Sequence, residues 1–173
     1  MATLEAEKIN PFNIREAVWN AMLDADMNHV YWSCLSRRYY DREKAIQIFL
    51  ALFSSSAVAG WALLMDVDLL WKALSALSAG IAIVLPILNW QKQIEVMSAI
   101  AGKWFHLKID YESLWLDVQP SASNEIVTVR QRFEELRKRE VEINGSASNL
   151  PDDRELADRA SADVMKRRGM KGD

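Results

Sequence analysis

AIQIFLALFSSSAVAGWALLM, at positions 45–65, runs for 21 residues without a charged side chain. As a helix it spans about 31 Å, against a bilayer hydrocarbon core of about 30 Å. After the seven residues DVDLLWK comes a second charge-free run, ALSALSAGIAIVLPILNW at 73–90, about 27 Å long as a helix. So short a connection folds the two helices back on each other as an antiparallel hairpin. A helix with no polar face needs apolar cover on every side, and the amphipathic flanks can cover only part of two such helices. The reading is an all-α chain: a two-span transmembrane helical hairpin, spans 45–65 and 73–90, with long cytoplasmic helices forming a stalk or bundle. A buried hairpin inside a soluble helical bundle is the competing reading.

The flanks set the orientation. Arg37, Arg38, Arg42 and Lys44 precede the first run, and Lys92, Lys103 and Lys108 follow the second, whereas the loop holds Lys72 beside Asp66 and Asp68. Positive residues stay on the cytoplasmic side, which puts both termini in the cytoplasm and the loop outside. Glu5, Glu7 and Glu16, with no apolar run before position 45, do not fit a signal peptide. The chain divides into an N-terminal amphipathic helix (1–44), the hairpin (45–90), a helical stalk (91–143), and a linker with a polar C-terminal helix and tail (144–173).

Within the hairpin, Ser56 with Gly60, and Ala76 with Gly80, are small residues four apart that let helices approach closely. Gln47 and Ser54 share a face of the first run, and Ser75, Ser78 and Asn89 fall on one side of the second. This weakly polar stripe has two readings. It lines a narrow water path in an assembly, or it makes hydrogen bonds across the hairpin.

Outside the hairpin the periodicity is helical. Val18, Met22, Ala25, His29, Trp32, Leu35 and Tyr39 repeat at three and four, one face of a helix that starts near Asn13 and enters the first span unbroken. Ile94, Met97, Ala101, Trp104, Lys108, Tyr111, Trp115 and Val118 do the same, widened by Ile100, Leu107 and Leu114. That helix continues the second span until Pro120. Over 125–143, Ile126, Val129, Phe133, Leu136, Glu140 and Ile143 form a heptad-like seam with one charged defect, Glu140. Trp104, Tyr111, Trp115, Phe133 and Leu136 are the candidates for self-association into a homo-oligomer. Asn144-Gly145 reads as a turn, and 151 to about 168 as a short polar helix. Lys166, Arg167, Arg168 and Lys171 read as a solvated basic tail.

Little in the 173 residues points to chemistry. A net charge of −3 argues against a nucleic-acid site, which needs a basic surplus. Cys34 is the one cysteine and His29 and His106 the two histidines, so no disulfide and no multi-cysteine zinc site can form. His29 lies about 140° round the helix from Cys34, which leaves Cys34 as a packed structural thiol. No phosphate loop, paired-cysteine spacing or H-E-x-x-H motif occurs, and the expectation is a non-enzyme without catalytic residues, metal or cofactor.

An N-terminal helix carrying Tyr31-Trp32 and Arg37-Arg38-Tyr39-Tyr40, two tight apolar runs, WFHLKIDYESLWLDV at 104–118 and a further charged helix together resemble the SLATT group, small two-transmembrane effectors of bacterial anti-phage systems. The resemblance covers about 12–143 and implies an effector that oligomerises to form a pore or otherwise permeabilises the inner membrane in abortive infection. It also implies control by a sensor protein or sensor ribonucleoprotein. A non-conducting membrane scaffold that recruits a cytoplasmic partner and a phage holin-like protein are the alternatives.

Overall fold

The computed structural model describes residues 11–53, 77, 80, 81, 89–118 and 125–170. The architecture is all-α, with four long helices among the described residues: α1 (Pro11–Phe53), α2 (Trp90–Asp117), α3 (Glu125–Ala147) and α4 (Arg154–Arg167). The chain divides into two compact units, Met1–Ser33 with Met97–Asp173, and Cys34–Val96.

The transmembrane hairpin is corrected. Among the described residues no helix is long and apolar enough to cross a membrane. The last nine residues of α1, 45–53, carry no charge. The rest of α1 alternates apolar and charged positions, and α2 carries Lys92, Glu95, Lys103 and Lys108. The bilayer as a partner and the inner-membrane placement with two cytoplasmic termini fall with the spans. Ser54, Ser56, Gly60, Ser75, Ala76 and Ser78, named for pore lining and close packing, lie outside the described residues. Nor does α2 continue an earlier helix without a break. Asn89 is a turn residue with φ 46°, a left-handed conformation that Asn tolerates and a regular helix does not. Its carbonyl accepts the Gln93 N–H at 3.3 Å, starting α2 afresh.

The first unit is built on the helical faces that periodicity marks. Val18, Met22, Ala25, Trp32 and Leu35 of the N-terminal face are buried, Leu35 lying in the second unit. On α2 the buried residues are Met97, Ile100, Ala101, Trp104, Leu107, Tyr111 and Leu114. Here α1 runs antiparallel to α2. His29 Nδ1–H donates to the Ala101 carbonyl at 3.0 Å and its ring meets Phe105, while Trp19, further back along α1, meets Trp115, further on along α2. The α2–α3 pairing is antiparallel too, with Arg139 on Asp110 and Arg132 on Asp117. These exposed ion pairs fix register more than they stabilise.

Glu140 turns from a defect into a partner. It is half-buried in the α3 seam beside Val129, Leu136 and Ile143. It accepts the hydroxyl of the fully buried Tyr111 at 3.2 Å and Arg137 Nη1 at 2.7 Å. Burial first, and then the Glu140 carboxylate, push the Tyr111 hydroxyl far above its ordinary value, so it stays a donor. Replacing Tyr111 by Phe is expected to lower stability by about 1–3 kcal/mol, the range for a hydrogen bond to a charged group. A urea-unfolding midpoint unchanged from wild type would contradict this.

Helix α3 also runs through the Asn144-Gly145 turn signal to Ala147. The Ser146 hydroxyl donates back to the Ile143 carbonyl at 2.7 Å, occupying an acceptor near the helix end.

In the second unit, Ser36 Oγ donates to the Ile94 carbonyl at 3.4 Å and Tyr39 meets Trp90 edge-on. Cys34 is exposed, not packed. Gln47 is exposed as well and donates to Glu43 Oε1 at 2.9 Å, one turn earlier on the same helix. Asn89 and Gly80 are exposed, and a Cβ at Gly80 would meet nothing within 4 Å.

Candidate functional site

The densest ionisable cluster in the first unit centres on Asp26, which is 3% exposed. It lies on α1 between Ala25 and His29, four residues after Met22, on the flank of the apolar stripe. A carboxylate buried this far requires cations. Lys108 of α2 supplies one, its Nζ 3.2 Å from Oδ1. Arg168 supplies another, Nη2 donating to Oδ2 at 3.1 Å, and Arg167 stands at 3.9 Å. The same Arg168 nitrogen donates to Glu112 Oε1 of α2 at 2.7 Å. Lys108 approaches Oδ1 as an ion pair outside hydrogen-bond geometry, so Oδ1 has no hydrogen-bond donor among the described residues. Burial by itself would raise the Asp26 pKa. The Lys108 and Arg168 cations, with Arg167, outweigh it and hold the carboxyl below its ordinary value.

Local sequence delivers Arg168 to this point. Asp153 caps α4, its Oδ1 accepting the Leu156 N–H at 3.1 Å, and Glu155 sits in the first turn. At the other end the Gly169 N–H donates to the Lys166 carbonyl at 3.2 Å and the Met170 N–H to Met165 at 2.9 Å. This paired closure needs a left-handed residue after the cap, and Gly169, at φ 70°, provides it. The helix therefore ends with Arg168 as its cap. The reading of Arg168 as part of a solvated tail is corrected, because the guanidinium joins two carboxylates from two other helices.

A second attachment holds the start of α4. The Tyr31 hydroxyl of α1 donates to Asp152 Oδ1 at 2.9 Å and accepts the Asp153 N–H at 3.0 Å. Burial first, eased by the Asp153 amide and reinforced by the Asp152 carboxylate, leaves this hydroxyl pushed up to about 12. It remains a donor at ordinary pH. Between the two attachments α4 buries only Ala160 and Val164.

The residues named for self-association lie largely inside this unit. Trp104, Tyr111 and Leu136 are buried, Phe133 packs on Tyr111 with ring centroids 6.0 Å apart, and Trp115 packs on Trp19 at 5.1 Å. Arg15 stacks over the Trp115 ring, and these residues with Glu16 line an open cleft of about 340 Å³. His106 lines another, of about 260 Å³, with Lys103, Asp110, Arg139 and Glu142. Among the described residues no group of three His, Cys, Asp or Glu could hold a metal ion.

Periodicity alone passes over Asp26, Glu112 and Arg168. The one local signal was a lone carboxylate against the apolar stripe of α1. Its partner cation is 142 residues away in sequence, where no spacing rule reaches. The pore-forming, membrane-permeabilising effector is overturned, since its machinery was the hairpin and among the described residues no helix can span a bilayer. The membrane scaffold and holin-like alternatives, and the anti-phage role drawn from the SLATT resemblance, rested on the same spans and go with them. The homo-oligomer and the sensor partner were inferred from that same effector and lose their support. In comparisons with known proteins, no family model, no curated protein and no solved structure matches the chain.

Proposed function

We propose that this chain is a non-enzymatic binding protein whose working element is the C-terminal helix α4, held on α1 and α2 by an ionic clasp and released to act. The observation that carries this reading is the double use of Arg168, which ties the end of α4 to Asp26 on one helix and Glu112 on another. That cluster is spent on holding a helix, an arrangement suited to a clasp and not to proton transfer or nucleophilic attack.

Energetics favour release of α4 without loss of the rest. It has 14 residues, a length at which an isolated helix is marginal in water. Two buried side chains give it little apolar attachment, while α2 buries seven. Polar bonds at Tyr31 and Arg168 therefore carry much of the docking.

Arg168→Ala is expected to speed amide hydrogen exchange across 154–167 by about 10- to 100-fold, from loss of charge-assisted bonds. Exchange across 100–114 should stay as in wild type. Tyr31→Phe should loosen the first turn of α4 by a smaller factor. The reading fails if α4 keeps its protection in both variants, or if α4 and α2 lose protection together.

A further inference from the structure

We infer that the seat of α4 on α1 and α2 is a binding site for a partner's short helix ending in an arginine, with α4 as its resident occupant in cis. This rests on the clasp reading above and names the class of partner. The docked face of α4 is a seam one residue wide. Leu156, Ala160, Val164 and Arg168 recur every four residues, the middle two buried and the outer two half-buried. Ala and Val are small, so the seam asks for close approach rather than a deep pocket. The cation at its end is the specific element. Asp26 and Glu112 put two negative charges in the seat and Lys108 one positive, so without an arginine the seat carries a net negative charge and Asp26 keeps Lys108 as its remaining partner on α2. A ligand must therefore bring a guanidinium to the end of a small apolar stripe, in the pattern Leu-x3-Ala-x3-Val-x3-Arg.

Occupancy in cis also sets the control. The short connection from α3 holds α4 near its seat at an effective concentration of roughly millimolar. A partner helix of similar affinity is excluded until the clasp opens. Weakening the clasp in cis should thus strengthen binding in trans.

The probe is a fluorescein-labelled peptide with the sequence of residues 151–170, titrated into the full chain by anisotropy. Wild type is expected to bind weakly and Arg168→Ala at least 10-fold more tightly. In the Arg168→Ala chain, adding Glu112→Ala should weaken the peptide by 5-fold or more. Glu112 is half-exposed, so the fold tolerates its loss. A peptide carrying Arg168→Glu should not bind. Hydrogen exchange of α4 in the same samples separates the two ideas. If α4 is released and the peptide still gains no affinity, the trans site is overturned and the clasp stands. If α4 is not released, the clasp falls and this inference with it. If the Arg168→Ala chain instead forms dimers by light scattering, by exchanging α4 between copies, the proposed foreign partner is overturned.

Discussion

Trp104→Ala is expected to cost about 3–5 kcal/mol of folding stability, the range for truncating a large buried aromatic. Trp104 is 1% exposed and sits in the middle of the buried face of α2, between Ala101 and Leu107. Truncation removes its burial free energy and leaves a cavity that neighbouring helices can fill only in part. Its indole N–H has no acceptor among the described residues, and an unpaired buried donor is itself unfavourable. Trp104→Phe keeps a ring and removes that N–H, so its loss should be much smaller, about 1–2 kcal/mol. Urea unfolding followed by circular dichroism checks both. Equal losses from the two variants would contradict this, since the ring that Phe retains would then contribute nothing at this position.

The second large effect falls on Asp26. Asp26→Ala is expected to cost about 3–5 kcal/mol, as breaking a buried pair does by stranding the opposite charges. Lys108 would lose its carboxylate and Arg168 would keep only Glu112. Acid should mimic the substitution. The Asp26 carboxyl is held below its ordinary value of 3.8, so its contribution is fully present above that pH and is lost as pH falls through the lowered folded value. Wild type should therefore exceed Asp26→Asn in urea midpoint by most near neutral pH, and the gap should narrow as the pH is taken well below 3.8. A gap that stays constant with pH would show that shape, not charge, holds the site together.

These two residues mark how far local reasoning reached. Trp104 was legible. Its position in a three–four repeat with Met97, Ala101 and Tyr111 places it on one helix face, and that face is buried. Glu140 was visible as an anomaly in the α3 seam, but its role required Tyr111, 29 residues earlier. Asp26 and Arg168 carried no joint signal. The charge-free runs at 45–65 and 73–90 were read through length and composition, and those properties alone do not distinguish a bilayer from protein cover.

What the sequence determined by itself was the helical character and the buried stripe of each helix, because backbone geometry repeats every 3.6 residues and apolar side chains follow it. The caps of α4 were equally local: Asp153 and Gly169 act within a few residues of where they stand. Only the tertiary structure decided which stripe meets which, and that Arg168 closes on Asp26 and Glu112. A charge pair depends on distance in space and on exclusion of water, and neither quantity is encoded in the spacing of residues along one helix.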